Sequence, residues 1–199
     1  MLLVGIDFGS KLAGTTVLAC LDLPKREIFW EKAKKKQDAD AFLIQRIQTL
    51  QPALIALDAP LSLPRVYAEP TAEPKDFFFR KGDRDLRAMS PMFLGGLTAR
   101  AMQLKSIWQA QNIPIIEAYP AAQAQRLHLA QWNYKKHTTE MAKIQAIILR
   151  DFSIELATNP LQATTWHEID ALLALLTAYR VSQDLHQVFG EETEGQIFV

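Results

Sequence analysis

The sequence predicts one α/β domain that contains a mixed β-sheet with helices on both of its faces. Three strand-like segments come first, and after them strand patterns alternate with helical ones. Such alternation is typical of crossover units, in which a helix joins two parallel strands. The length of 199 residues and the hydrophobic content of 49% suit a single domain with a full core.

The first three strands are predicted at residues 2–6, 14–21 and 25–33. The first is a short apolar run, the second is rich in Thr and Val, and the third alternates apolar and polar residues. Residues 22–25 join the second strand to the third, and Pro24 lies in this turn. The second and third strands are therefore expected to form an antiparallel hairpin.

The remaining elements follow from a change of period. A helix is predicted after the cap candidate Asp38 and before Pro52. Short apolar strands at 53–57 and 113–116 alternate with helices at 97–111, 139–150 and 166–185. The predicted order is βββαβαβα, which gives a mixed five-stranded sheet with helices on both faces.

Residues 59–96 follow the fourth strand and fit no regular pattern. Five prolines interrupt them, yet they also contain the run Phe77-Phe78-Phe79, which is unusual in a disordered segment. Long insertions in compact domains are often functional. We therefore expect an ordered, lid-like insertion within a single domain of residues 1–199, with a short helix near residues 83–89.

Composition excludes several classes of protein. The single cysteine, Cys20, rules out an internal disulfide framework and a cysteine-based zinc site. No apolar stretch is long enough for a membrane span, and residues 1–7 lack the features of a signal peptide. We expect a cytoplasmic protein. A formal net charge of +0 counts against a protein that coats nucleic acid without specificity.

Four acidic residues have an unusual placement. Asp7, Asp58 and Glu117 each directly follow a short apolar strand, and the carboxyl ends of parallel strands form the ligand crevice of open α/β sheets. Asp170 lies in the last predicted helix, three residues after His167. Turn chemistry is an alternative explanation for Asp7 and Asp58, and His167 alone is typical of a polar surface.

Clustered carboxylates with at most one histidine favour a hard divalent ion, Mg²⁺ or Mn²⁺. We therefore predict Asp7, Asp58, Glu117 and Asp170 as metal ligands and catalytic residues, with His167 as a further ligand or general acid/base. Two such ions about 3.5–4 Å apart can activate water and stabilise the leaving oxygen in phosphodiester hydrolysis.

Several segments resemble a known family. They are residues 5–14 (GIDFGSKLAG), 55–61 (IALDAPL), 80–87 (RKGDRDLR), 97–100 (LTAR), 116–120 (IEAYP), 167–174 (HEIDALLA) and 190–197 (GEETEGQI). Together they are similar to an uncharacterised bacterial family of predicted ribonuclease H-like nucleases, a domain-of-unknown-function group related to Holliday-junction resolvases.

The resemblance implies a ribonuclease H-like fold with Asp7 and Asp170 in metal-ligand positions. It implies that Asp58 or Glu117 supplies the carboxylate in the middle of the sheet. Resolvases place two metal-site residues three positions apart on the last helix, and the pair His167/Asp170 is similar to that arrangement. A nucleic acid is then the expected partner.

Basic residues of the insertion could hold phosphates, since arginine suits bidentate contacts. Arg80, Arg84 and Arg100 are the candidates, because they lie in the family-like segments, and Ser10 and Lys11 of the first turn join them as substrate-binding candidates. The alternative is a solvated surface paired with nearby acids.

Three functions remain open on the sequence. The leading hypothesis is an enzyme, a divalent-metal-dependent nuclease. The second is a ribonuclease H-like binding module for nucleic acid or a partner protein. The third is an ATP-binding phosphotransferase-type domain, because the turn Asp7-Phe8-Gly9-Ser10 also fits that class. The apolar helix at 169–181 could serve a homodimer interface as well as a core.

Overall fold

The computed structural model describes residues 1–71, 75–158 and 160–199. Within them, one sheet contains seven strands in the order β3-β2-β1-β4-β5-β7-β6. The strands are β1 (Leu2–Asp7), β2 (Val17–Asp22), β3 (Glu27–Lys32), β4 (Leu54–Asp58), β5 (Ile115–Ala118), β6 (Val188–Glu191) and β7 (Gly195–Phe198). The helices are α1 (Ala39–Leu50), α2 (Lys81–Leu86), α3 (Pro91–Leu94), α4 (Gly96–Gln109), α5 (Pro120–Arg126), α6 (Met141–Asp151) and α7 (Trp166–Ser182).

The antiparallel hairpin of β2 and β3 is the predicted one. β1, β2 and β3 form an antiparallel meander, and β4 and β5 continue the sheet parallel to β1. The predicted α/β class and the mixed sheet are thereby confirmed.

The predicted number of five strands is wrong, since β6 and β7 extend the sheet beyond β5. Each has only four residues, and Gly190 and Gly195 within them have positive φ angles of 90° and 97°. Short glycine-containing segments lack the alternation that reveals a strand. Helix α5, which Pro120 opens, was also missed.

Helices cover both faces of the sheet, as predicted. Leu3, Ala19 and Leu21 pack in one apolar core with α6 and α7. The residues between them on the strands, such as Val4 and Leu18, pack in a second core with α1 and α4. Successive side chains of a strand point to opposite faces, which accounts for the division into two cores.

Helix α7 lies very close to β1. A Cβ atom on Gly5 would lie 2.0 Å from the backbone nitrogen of Leu175, so only glycine permits this approach. The start of α7 is fixed by a capping box between Thr165 and Glu168. Glu168 also accepts a hydrogen bond from Lys32 of β3 at 2.7 Å. These contacts hold the first turn of α7 against the sheet.

The insertion after β4 contains a 3₁₀ turn at Arg65–Tyr67 and the short helices α2 and α3. Helix α2 begins two residues before the predicted helix at 83–89 and ends at Leu86. Residues 72–74 of the predicted lid lie outside the described residues. Across the described part of the chain, no helix combines the length and the apolar character needed to span a membrane.

Candidate active site

Two predicted carboxylates meet at the carboxyl ends of β1 and β4. Asp7 and Asp58 are direct partners in the parallel register of these strands, so their side chains leave the same face of the sheet. Asp7 is buried, and Asp58 is partly buried. Adjacent strands are about 4.8 Å apart, which places the two carboxyl groups side by side.

Helix α7 brings two further residues to the same edge. The Nδ1 atom of His167 lies 2.8 Å from Oδ2 of Asp7. Asp170 is buried one turn later on α7. We call Asp7, Asp58 and Asp170 the carboxylate cluster. The spacing of three residues on a helix accounts for the position of His167 beside Asp170.

Mutual repulsion marks the carboxylate cluster. Burial raises the pKa of Asp7, and the charge of Asp170 adds to this effect, whereas the hydrogen bond from His167 opposes it. Burial also raises the pKa of Asp58 well above its ordinary range, and the charges of Asp7 and Asp170 raise it further. Opposite charge placed at this edge would therefore be stabilising.

Sequence analysis missed two residues that contact Asp170. The Tyr134 hydroxyl donates a hydrogen bond to Oδ1 of Asp170, and Nζ of Lys135 lies 2.7 Å from Oδ2. Although partial burial opposes it, the charge of Asp170 raises the pKa of Lys135 and keeps its side chain protonated. Tyr134 and Lys135 lie far from Asp170 in the sequence. The sequence feature that could have indicated them is an aromatic residue beside a run of basic residues.

Glu117 has a different partner from the one predicted. Its two carboxylate oxygens accept hydrogen bonds from Arg80 at 2.7 and 2.6 Å, and one also accepts from the Leu61 backbone. Arg80 is 1% exposed and is held by Asp83 as well. Both oxygens of Glu117 are thus engaged within the protein, and Arg80 is buried. A metal at Glu117 and a phosphate at Arg80 stay predictions.

Arg100 also has a structural position. Its guanidinium forms a bidentate pair with Asp40, donates to the Gly9 carbonyl at 3.1 Å and lies 4.4 Å from the centre of the Phe8 ring. These contacts tie α4 to α1 and to the turn after β1. The part of Arg100 in phosphate binding stays a prediction.

The other predicted phosphate-binding residues lie at the surface. Lys11 is half exposed and pairs with Asp38 at 3.2 Å. Arg84 is half exposed and pairs with Asp76. Ser10 is exposed. Their part in substrate binding stays a prediction.

Two openings flank the carboxylate cluster. An apolar cavity of about 250 Å³ lies beside Asp58 and is lined by Phe8, Leu97 and Tyr119 among others. A larger opening of about 530 Å³ lies beside His167 and is lined by Lys32, Lys34 and Lys35. We call the second opening the basic groove. His167 contacts Asp7, and Asp7 neighbours Asp58, so the cluster lies between the two openings.

The donor set of the carboxylate cluster suits a hard divalent cation, since every donor of Asp7, Asp58 and Asp170 is a carboxylate oxygen. Raised pKa values of Asp7 and Asp58 agree with a site that is short of positive charge. In residues 1–71, 75–158 and 160–199, however, no three His, Cys, Asp or Glu side chains are already arranged around a common metal position. Asp7 and Asp58 are the residues that fit such an ion, because Asp170 is held by Tyr134 and Lys135.

Comparison with known proteins agrees with the predicted family resemblance. Residues 96–194 match the model of a family described as "Protein of unknown function (DUF429)". No curated protein matches the sequence. Among solved structures, the chain is similar to one described as "T. thermophilus RuvC in complex with Holliday junction substrate". The identity is 15% and the TM-score 0.47, over 92% of this chain and 96% of that one.

Proposed function

We propose that this protein hydrolyses phosphodiester bonds of nucleic acid with the help of a divalent ion, Mg²⁺ or Mn²⁺. The observation that supports this most is the register pairing of Asp7 with Asp58 beneath Asp170 of α7. Burial and neighbouring acids raise the pKa values of Asp7 and Asp58. Acids of this kind at the ends of parallel strands are typical of functional sites.

Asp7 and Asp58 would hold the ion. When bound, such an ion supplies an activated water and stabilises negative charge on the phosphoryl oxygens. The hydrogen bond from His167 to Oδ2 orients the Asp7 carboxyl, and the backbone pairing of β1 with β4 fixes the spacing of the two acids.

His167 is placed to transfer a proton. Its side chain is 45% exposed, and among the described residues Nε2 has no hydrogen-bond partner. The hydrogen bond to Asp7 raises the pKa of His167, which favours the protonated ring near neutral pH. A protonated Nε2 can donate to the leaving oxygen as a general acid.

The two openings support a polyanionic strand as the substrate. Lys34 and Lys35 are exposed in the basic groove, and neither forms an ion pair with another described residue. Lysine side chains of this kind attract phosphates without reading sequence. The apolar cavity beside Asp58, with Phe8 and Tyr119 in its wall, suits a base or a sugar.

Calorimetric titration with Mn²⁺ tests the proposal on the wild type and on Asp7→Asn, Asp58→Asn and Asp22→Asn. Asp22 ends β2 and forms a surface pair with Lys25, so its variant is the matched control. We expect binding to wild type and control and its loss in the other two. Cleavage of single-stranded, duplex and branched DNA and of RNA is then measured for each protein. The wild type and the control should cleave, and the other two variants should not. Full activity in Asp7→Asn would refute the proposed site.

The alternative is a binding module that recognises nucleic acid without cleaving it. The observation that favours it is Lys135, which already supplies a positive charge to Asp170. Tight binding of nucleic acid that is independent of Mn²⁺, with no turnover, would support this alternative. The phosphotransferase-type alternative loses support, because the backbone nitrogen of Gly9 already donates to Thr16 at 3.1 Å and is not free to bind a phosphate.

A further inference from the structure

Both carboxylate oxygens of Asp170 have a partner within the protein. Oδ1 accepts the hydroxyl of Tyr134, and Oδ2 lies 2.7 Å from the ammonium group of Lys135. An ion that coordinates Asp170 would compete with these partners for the carboxylate oxygens. Lys135 is the partner that would compete with a metal ion for Asp170, because both are positively charged.

The charge of Lys135 also acts beyond Asp170. It favours the ionised forms of both Asp7 and Asp58, against the effect of their burial. The ammonium group contacts Asp170, which lies one turn after His167 on α7, and His167 contacts Asp7. It therefore lies at the same edge of the sheet as the carboxylate cluster and can act as a shared counter-ion. Even with Lys135 and a protonated His167 beside them, the three carboxylates keep uncompensated negative charge, and a single divalent ion is sufficient to neutralise it.

The backbone conformation of the turn at Asn133 and Lys135 holds the lysine in this position. Asn133 and Lys135 both adopt left-handed conformations, with φ angles of 57° and 61°. Such conformations are uncommon for lysine and persist where surrounding contacts enforce them. The Tyr134 ring contacts the edge of Trp166, the first residue of α7, at a centroid distance of 5.5 Å. The turn is thus anchored to the helix that carries Asp170.

We propose that the Lys135 ammonium group takes the place of a second metal ion, so that the carboxylate cluster binds one divalent ion through Asp7 and Asp58. This inference rests on the proposed function, in which the cluster binds a metal at all. It explains why Asp170, although part of the cluster, is not arranged with the other acids around a common metal position. It also makes Lys135 the group that would face a phosphate from the side of Asp170.

The test is the stoichiometry and affinity of Mn²⁺ binding to the full chain, measured by calorimetry. Wild type is compared with Lys135→Met, which removes the charge, and with Lys135→Arg, which keeps it. Lys136→Met is the matched control, since Lys136 is exposed and forms no ion pair with another described residue. Thermal denaturation of each variant confirms that it is folded.

We expect one Mn²⁺ per chain in wild type, in Lys135→Arg and in Lys136→Met. In Lys135→Met we expect two ions per chain, with the first bound about tenfold more tightly, since a neighbouring positive charge has been removed. Two ions in wild type, or an unchanged titration in Lys135→Met, would overturn the inference and leave the proposed metal site intact. An absence of binding in all four proteins would overturn the proposed function together with it.

Discussion

Replacement of Arg80 by methionine tests whether the Arg80–Glu117 pair is structural or functional. Both partners are buried, and the guanidinium contacts Glu117, Asp83 and Ser62 at 2.6 to 2.8 Å. Methionine fills similar volume without the charge. The substitution leaves the Glu117 carboxylate buried, with the Leu61 backbone as its remaining hydrogen-bond donor.

Removal of one partner of a buried ion pair costs about 3–5 kcal/mol of unfolding free energy, because the other charge is left uncompensated. We expect this loss for Arg80→Met at pH 7. Burial already raises the pKa of Glu117 above its ordinary value of 4.5, and the loss of Arg80 raises it further. An acid whose pKa is higher in the folded than in the unfolded protein destabilises the fold at high pH. The loss of unfolding free energy in Arg80→Met should therefore shrink as the pH falls through the pKa of Glu117 in the folded protein towards 4.5.

Urea denaturation at pH 7 and at several lower values measures the effect. Arg84→Met is the matched control, because Arg84 lies on the same helix in a half-exposed pair that is worth at most about 1 kcal/mol. A loss below about 1 kcal/mol in Arg80→Met would refute the structural role. Loss of Mn²⁺ binding at unchanged stability would support the predicted roles of Glu117 and Arg80 in the active site.

Two further predictions concern the first turn of α7. Glu168 has a pKa lowered to about 2, because backbone and hydroxyl donors of Thr164 and Thr165 and the ammonium of Lys32 overcome its burial. Glu168→Gln should therefore lose about 2–3 kcal/mol of unfolding free energy at pH 7. The difference in stability from wild type should disappear as the pH falls from 4.5 to 2. Equal stability of the two proteins at pH 7 would contradict this. His167→Gln should keep Mn²⁺ binding but lower the cleavage rate about 10²–10⁴-fold. It should also abolish the fall in rate at alkaline pH. An unchanged pH–rate profile would show that His167 is not the general acid.

The strand ends were predictable because their signal is local. An apolar run that stops at an acid, as at Ile6-Asp7 and Leu57-Asp58, shows where a buried strand reaches solvent. The helical period likewise places His167 and Asp170 on one side of α7 without knowledge of the fold. The class of fold and the meeting of Asp7, Asp58 and Asp170 follow from these patterns.

The partners of the charged residues were not predictable, because they depend on contacts between distant segments. Glu117 and Arg80 are 37 positions apart, and Asp170 and Tyr134 are 36 apart. Glu117 follows an apolar strand just as Asp58 does. No local feature of the sequence shows that Glu117 pairs with an arginine and that Asp58 does not. Strands β6 and β7 were missed for a related reason, since β7 is recognisable only by its pairing with β5.

The different roles of Asp58 and Glu117 follow from what covers each strand end. The insertion returns Arg80 to the end of β5, where it pairs with Glu117. The hairpin of β6 and β7 is tied to the same place, because the Ser62 hydroxyl accepts from Arg80 and donates to the Glu194 carbonyl. The structure gives Asp58 no such basic partner within hydrogen-bonding distance among the described residues, so its charge remains a cost to the fold. Of the two acids, Glu117 has an arginine partner and Asp58 does not, and the unpaired acid is the one that would bind a cation. The contrast between these two acids therefore supports a metal at Asp7 and Asp58 more strongly than the number of acids does.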